Sequence, residues 1–410
     1  MAACGHRGIP ASVTDAESPM NIHPTILADH ALLSAWRQDL HRHPELGYEE
    51  HRTAAFVAQE LATLGLEVHT AIGRTGVVGT LRRGSSDRAI GLRADMDALA
   101  MQELGDIPHR SVDAGKFHGC GHDGHTIMLL GAARALARHG RFDGTVHFIF
   151  QPAEEGGAGG AAMIADGLFE RFPVSAVFGM HNDPMLPIGH FGMQSGPMMA
   201  AAQMFEVAVH GRGGHAAFPH TTVDPVLTAA QIVVALQGIV SRNVDPMATA
   251  VLSVTRTSGG EAFNVIPAKA TLGGTLRYFL HEVGELLRAR ITAVARGIAT
   301  GNGGDAEVAF LPNGFPPLVN TPEETALAAR VAATLVGSEA VNAAVTPSMG
   351  AEDFAFMLQA RPGCYVLIGQ GGERGGCMVH HPEYDFNDAI IPLGASYWVA
   401  LAEEALASAR

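Results

Sequence analysis

The stretch Thr145-Val-His-Phe-Ile-Phe-Gln-Pro-Ala-Glu-Glu-Gly-Gly157 runs an apolar segment straight into a proline, two adjacent carboxylates and two glycines. A short apolar run bounded by turn residues reads as a strand buried on both faces, the kind found where helices cover a sheet on either side. Upstream of it, apolar residues recur at helical spacing over 26–40 and 50–64. Residues 77–81 and 90–94 read as strands separated by the turn-like Arg83-Gly-Ser-Ser-Asp87, so a hairpin is expected there. Downstream, 125–138 reads as a helix, 176–180 as a second buried strand, 352–358 as a helix, and 364–368 as a strand running into Gly369-Gln-Gly-Gly372. Helices alternating with apolar strands predict an α/β fold.

Between about 193 and 311 the pattern changes. Strand (205–210), helix (225–240), two strands (249–255, 268–278), helix (282–299) and strand (307–311) follow the β-α-β-β-α-β order of a ferredoxin-like α+β unit. Because this unit lies inside the α/β pattern, the expectation is a discontinuous catalytic α/β domain over 21–192 and 312–410. The insert of 193–311 interrupts it, with hinges near 192–197 and 312–317. Residues 1–20 read as a disordered leader, with Met20 open as a natural start.

At 410 residues the chain exceeds what one hydrophobic core usually serves, and 47% apolar residues supply material for two. A formal charge of -14, a pI near 5.8 and 27 Lys and Arg leave no electrostatic footprint for nucleic acid or an anionic membrane surface. No uncharged apolar run approaches about 18 residues, and the N-terminus lacks a basic start followed by an apolar stretch. Neither a membrane span nor a signal peptide is expected. The four cysteines, Cys4, Cys120, Cys364 and Cys377, form no framework of a short secreted chain, so reduced thiols and a cytoplasmic location are expected.

The chemistry concentrates at strand ends. Asp95 follows one expected strand, Glu154 and Glu155 a second, His181 a third, and His380 and His381 lie a short loop beyond a fourth. In open α/β sheets ligands bind at the carboxyl ends of strands, so these distant residues are expected to meet at one edge. Cys120-Gly-His122-Asp-Gly-His125 adds a thiol and an imidazole in a glycine-flanked loop. A thiolate, imidazoles and carboxylates together suit a divalent transition metal and a water-activating base. Alone, Cys120 reads as a small buried residue and His181 as a satisfied core histidine; only the ensemble points to a site. Cys120, His122, Glu155, His181 and His380 would suffice for one tetrahedral ion, or for two ions sharing a bridging group. A metal-ligated carboxylate cannot also take protons freely, so Glu155 is assigned to the metal and its neighbour Glu154 to general base and acid. Asp95 and Asp97 are either ligands or the carboxylates that orient a ligating imidazole.

These motifs, with Gly179-Met-His181, Gly214-His-Ala-Ala217, Asn264-Val-Ile-Pro267, Gly350-Ala-Glu-Asp-Phe354 and His380-His-Pro-Glu-Tyr-Asp-Phe-Asn-Asp388, occur in order along nearly the whole chain. The sequence resembles the M20 metallopeptidase family, within it the amidohydrolase subgroup of hippurate hydrolases, aminoacylases and plant auxin-amino acid conjugate hydrolases. The resemblance implies two divalent metal ions in a catalytic α/β domain, a lid domain that also dimerises, and hydrolysis of the amide of small N-acyl amino acid substrates by a homodimer or homotetramer. It further implies that His215 reaches a partner subunit's site and stabilises the oxyanion, and that Asn264 and Arg277 hold the substrate carboxylate. A guanidinium fork suits that task, although Arg277 could equally form a salt bridge on a sheet face. Two departures follow the subgroup: Asp95-Met-Asp97 stands where the wider family has His-x-Asp, and Cys120 replaces the carboxylate that bridges the metals. The ligand types admit zinc, manganese, cobalt or nickel. Relatives commonly carry one histidine where His380 and His381 stand, and position favours His380. A dipeptidase of the same family and a non-catalytic metal-stabilised binding protein are the rival readings.

Overall fold

The computed structural model describes residues 20–371 and 377–408, so the expected leader lies, apart from Met20, outside the described residues. The chain divides into two compact units.

The first unit comprises residues 1–196, 319–346 and 353–410 and is built on an eight-stranded mixed sheet. Its strands β1 (Glu67–Ile72), β2 (Gly76–Arg83), β3 (Ala89–Asp95), β4 (Gly144–Gln151) and β5 (Ala176–Asp183) lie in the order β1-β2-β4-β3-β5. The order continues through Gly363–Gly369, Phe191–Gly192 and Val341–Asn342. β3 pairs in parallel with β4 and β5, and β5 in parallel with Gly363–Gly369. All seven residues of β3 are buried, which is what a parallel strand between two helical layers requires.

That burial also corrects the expected hairpin. β2 pairs antiparallel with β1 and β4, and β4 lies between β2 and β3. A both-faced apolar strand gains more from two inner neighbours than from a hairpin partner at its side. Skipping one position spans roughly 10 Å, which the five residues 84–88 can bridge. The Asp143 carboxylate holds this crossing by accepting the Ser85 and Ser86 N–H groups at 2.7 and 2.8 Å.

The helices α1 (Pro24–Arg42), α2 (His51–Thr63) and α3 (His122–His139) pack with the helix Ile391–Ala405 around this sheet, with Leu33, Leu129, Phe148, Phe178 and Trp398 in one apolar core. The helix expected over 352–358 runs instead from Ala355 to Ala360. Asp353 turns inward, its carboxylate accepting from Gly160 N–H at 2.8 Å and from Arg93 at 3.1 Å. The thiols of Cys120 and Cys364 are free, whereas Cys377 is disulfide-bonded, which departs from the expectation of four reduced cysteines.

The second unit comprises Pro197–Leu318 and Pro347–Glu352. It is wider than the expected 193–311 because Ala202 pairs with Phe315, and Ser348 and Gly350 accept from Ala200 N–H at 3.0 and 2.9 Å. Its four main strands run Ala250–Gly259, Lys269–Tyr278, Ala201–His210, Asp305–Phe310 across the sheet, all neighbours antiparallel. The helices Pro225–Asn243 and His281–Gly301 bury Ile232, Leu236, Leu287 and Ile291 in one core with Phe205, Val207 and Leu272 of the sheet. Asp224 starts the first helix, its carboxylate accepting from Val226 and Leu227 N–H with Pro225 at the first helical position. At 19 residues and a mean hydropathy of 1.3 this helix is long and apolar enough to cross a membrane by length and composition, contrary to the sequence reading. Its buried residues recur every three or four positions, the stripe of a helix packed on a core.

A buried ionic network ties α1 to α3 and the C-terminal segment. Arg37 holds Asp385 at 2.8 Å and Asp388 at 2.6 Å, while His41 lies 2.8 Å from Asp123 and 3.4 Å from Glu103. Burial alone would lower His41, but its contacts to Asp123 and Glu103 outweigh that and push it up to about 9. Because the folded pKa is raised, this stability is fully present below the unfolded value near 6.5 and is lost as pH rises through about 9. Thermal or urea unfolding should lose on the order of 3 kcal/mol across that window. A His41→Gln variant should be less stable at pH 6.5 and lack that slope; equal slopes in both proteins would refute the assignment.

Candidate metal centre and active site

The site grows from the carboxyl ends of the parallel strands. β3 ends at Asp95, β4 at Gln151, and β5 carries His181 near its end. α3 begins at His122, preceded by Gly121 at φ 93°, where an added Cβ would stand 2.5 Å from Asn182 Oδ1. Glycine is therefore required for the loop to deliver Cys120 and His122 to the sheet edge.

After β4 the backbone turns sharply. Ala153 is left-handed (φ 50°, ψ 45°), a conformation that costs a residue with a Cβ roughly 1–2 kcal/mol. Its N–H donates to Glu50 Oε1 at 2.8 Å and its carbonyl accepts from Gly159 N–H at 3.1 Å. The next four residues form one distorted turn, with Glu155 and Gly156 off helical angles, so Glu154 and Glu155 are not a solvated pair on a regular helix. Glu154 is buried, and its Oε1 accepts from Asp353 N–H at 3.4 Å.

The five candidate ligands come together. The donor atoms of Cys120, His122 and His181 lie within 4.8 Å of one another, and so do those of Cys120, Glu155 and His380. Cys120 Sγ is 3.3 Å from His181 Nε2, and Glu155 Oε1 is 3.1 Å from His380 Nε2. His380 N–H donates to Gly119 O at 2.7 Å, tying the two ligand loops, whereas His381 Nδ1 accepts from Glu383 N–H at 3.2 Å. Burial pushes the Cys120 thiol up, and burial together with His125 holds His181 well below the usual imidazole range, in the neutral form that coordinates metal. Among the described residues His122 Nε2 is buried with no hydrogen-bond partner, a need that a divalent cation would meet. The donor set therefore fits divalent metal.

Around these donors sit carboxylates that orient them. Asp97 Oδ1 lies 3.2 Å from His122 Nδ1, and its Oδ2 accepts from Glu155 N–H at 2.9 Å, so one carboxylate fixes the imidazole of one candidate ligand and the backbone of another. Asp95 instead approaches His125 Nδ1 at 2.6 Å and Arg93 at 2.7 Å, and His122 Nε2 only at 3.8 Å. Burial would raise Asp95, but the charges of His122, His125 and Arg93 outweigh it and hold it well below the carboxylate range. The sequence reading missed His125, Arg93, Asp353 and Glu50. His125 is three residues beyond His122 on α3 and so shares its face, a signal that was available.

In the second unit His215 and Asn264 are exposed neighbours. Val265 pairs with His215, and Ala216 N–H donates to Asn264 O at 3.0 Å. Arg277 is half-buried, its Nη1 donating to Thr275 Oγ1 at 2.5 Å and Leu276 O at 3.0 Å. Among the described residues no carboxylate pairs with it, so the alternative of a salt bridge on the sheet face is not realised.

A sheet edge presenting thiol, imidazole and carboxylate donors beside a spare buried carboxylate defines a metal-dependent hydrolase. A model of peptidase family M20/M25/M40 matches residues 91–404, and the chain belongs to that family. The hippurate hydrolase of Campylobacter jejuni is 41% identical over 384 residues, 93% of this chain and 99% of that protein. An N-acetylcysteine deacetylase of Bacillus subtilis is 38% identical over 377 residues, 92% of this chain and 97% of that protein. A crystal structure of a dinuclear metal-binding M20 peptidase from Bacillus subtilis superposes with a TM-score of 0.80 at 36% identity, covering 93% of this chain and 99% of that one.

Asp97→Ala should weaken metal binding about 10- to 100-fold, since the variant loses the group that orients His122 and anchors Glu155. Competition against a chelating dye measures it, and unchanged affinity would show that Asp97 does not position the ligands.

Proposed function

We propose that this chain hydrolyses the amide bond of N-acyl-L-amino acids, releasing a carboxylic acid and a free amino acid. Two divalent ions, zinc, manganese, cobalt or nickel, would be held by Cys120, His122, Glu155, His181 and His380. The observation that carries the reading is the Cys120 thiol, which belongs to both three-donor groups, while Glu154 stands next to Glu155 and outside both. Two such donor groups sharing one sulfur would hold two ions side by side, with Cys120 available to both.

When bound, the ions supply Lewis acidity toward the carbonyl and the attacking water. Glu154 takes a proton from that water and returns it to the leaving nitrogen. Its burial and its contact to Asp353 N–H keep the carboxylate in one place for both transfers. Asp97 and Asp95 orient the site. The unpaired, half-buried Arg277 and the exposed Asn264 take the substrate carboxylate, and His215 donates to the oxyanion in the site of a partner subunit. The second unit acts as lid and dimerisation domain; its exposed ten-residue edge strand Ala250–Gly259 and exposed Val234 and Leu227 support a subunit contact there. A cytoplasmic setting rests on the free Cys120 thiol, since a ligand cysteine must stay reduced, while the disulfide at Cys377 argues the other way.

The deciding experiment strips the protein of metal, reloads it with each of the four ions, and follows amino acid release from N-acyl amino acids including benzoylglycine. Glu154→Gln should keep its ions and lose roughly 10²–10⁴-fold in kcat. Retained activity in that variant would end the reading, and absent release with every ion would favour the dipeptidase. Mixing inactive Glu154→Gln subunits with inactive His215→Ala subunits should restore activity, because one hybrid site then holds both groups; no recovery after verified exchange would place His215 in its own subunit's site or outside catalysis.

A further inference from the structure

Glu50 is a fully buried carboxylate outside the candidate ligand set. It stands immediately before α2 without a side-chain bond to that helix, and reaches a turn some hundred residues further along the chain. Its two oxygens are both used: Oε1 accepts the Ala153 N–H at 2.8 Å, and Oε2 accepts the Thr75 hydroxyl at 2.5 Å. Among the described residues it forms no ion pair, so this acid is buried without a counter-charge, an arrangement that costs stability and is uninformative as packing.

What it holds is the left-handed residue next to Glu154. Ala153 is fully buried, and its methyl is pressed between the backbones of Gly47 and Gly157, where added Cβ atoms would stand 3.0 and 2.6 Å away. Tyr48 closes the same turn by donating its hydroxyl to Gly157 O at 2.7 Å, with Arg74 over its ring at 4.2 Å. The segment 47–50 thus clamps the turn 153–157 from one side, while Asp97 holds Glu155 N–H from the other. Released from the clamp, an alanine would leave the left-handed region and swing the Glu154 side chain away from its position.

We infer that Glu50 is a positioning residue for hydrolysis: its carboxylate locks Ala153 in the left-handed conformation that aims Glu154 at the attacking water. The inference rests on the reading of Glu154 as the general base. Two features separate it from ordinary structural support. A side chain that only needs to accept one N–H and meet one hydroxyl can be an amide, so geometry and not charge is the requirement. Glycine populates positive φ about as readily as negative, so glycine at 153 should substitute for the clamp.

The test uses the metal-loaded full chain with benzoylglycine, the four variants Glu50→Ala, Glu50→Gln, Glu50→Asp and Glu50→Ala/Ala153→Gly, and metal content for each. Glu50→Ala should lose about 10- to 100-fold in kcat, the scale of a small misplacement of a catalytic group, with KM and bound metal held. Adding Ala153→Gly should recover roughly 5- to 30-fold, the population factor of the left-handed penalty of an alanine. Glu50→Gln should recover most of the loss in place of the acid, and Glu50→Asp, too short to reach both partners, should not. Hydrogen exchange of the peptide over 150–160 should rise in Glu50→Ala and Glu50→Asp and stay at the parent level in Glu50→Gln. Full kcat in Glu50→Ala, or a loss that glycine does not repair, overturns the inference. If Glu50→Ala does not fold, the Gln and Asp pair decides: an active Asp variant beside an inactive Gln variant would make charge the requirement and refute positioning. Glu154→Gln is measured alongside, so failure of the base assignment is seen separately.

Discussion

The constraint on which the catalytic unit depends is that β3, β4 and β5 run in parallel and therefore end on one edge. Every chemically active group of this unit is delivered by a strand end or by the loop that follows it. Parallel pairing demands strands buried on both faces, and the apolar stretches Ile90–Leu92 and Val146–Phe150, broken only by Gly91 and His147, go far to meet that demand. The cost appears at the edge, where buried polar groups accumulate and must satisfy each other. Arg93 does much of this, donating to Gln151, Asp95 and Asp353 at 2.9, 2.7 and 3.1 Å. Its charge offsets carboxylates that could not otherwise be buried together.

Asp97 is where structure and chemistry meet. One oxygen faces the His122 imidazole and the other the Glu155 backbone, so two of the candidate donors are held in fixed relation by a single side chain. Asp95, two residues away on the same strand edge, serves His125 instead. Alternation along an extended segment sends neighbouring positions of like parity to one face, so two acids at spacing two share a face and divide its partners between them. The pair was visible in the sequence, but which acid served which imidazole was not, because that depends on where α3 starts.

Much of the fold was legible. The apolar runs marked the inner strands, and the change of pattern after residue 193 marked a separate antiparallel sheet with two helices, because strand and helix periodicities depend on near neighbours alone. The hairpin between β2 and β3 was misread since a five-residue connection is equally consistent with pairing and with skipping a strand; only the need of β4 for two partners decides it. The helix before Gly363–Gly369 began late because Asp353 was taken up by Arg93 and Gly160, partners distant in the chain.

The sequence by itself determined the donor types, their order, and the adjacency of Glu154 and Glu155, because these are properties of the covalent chain and of short turns. That the loop entering α3 needs glycine at 121 follows only from the structure, where an added Cβ would meet Asn182. The tertiary structure alone decided that Cys120 belongs to two donor groups at once, and that Glu50 reaches Ala153 across about a hundred residues. Contacts of that kind carry no period and no spacing. They exist only once sheet order has brought the loops together, and the energy that fixes them is the cost of leaving a buried polar atom without a partner.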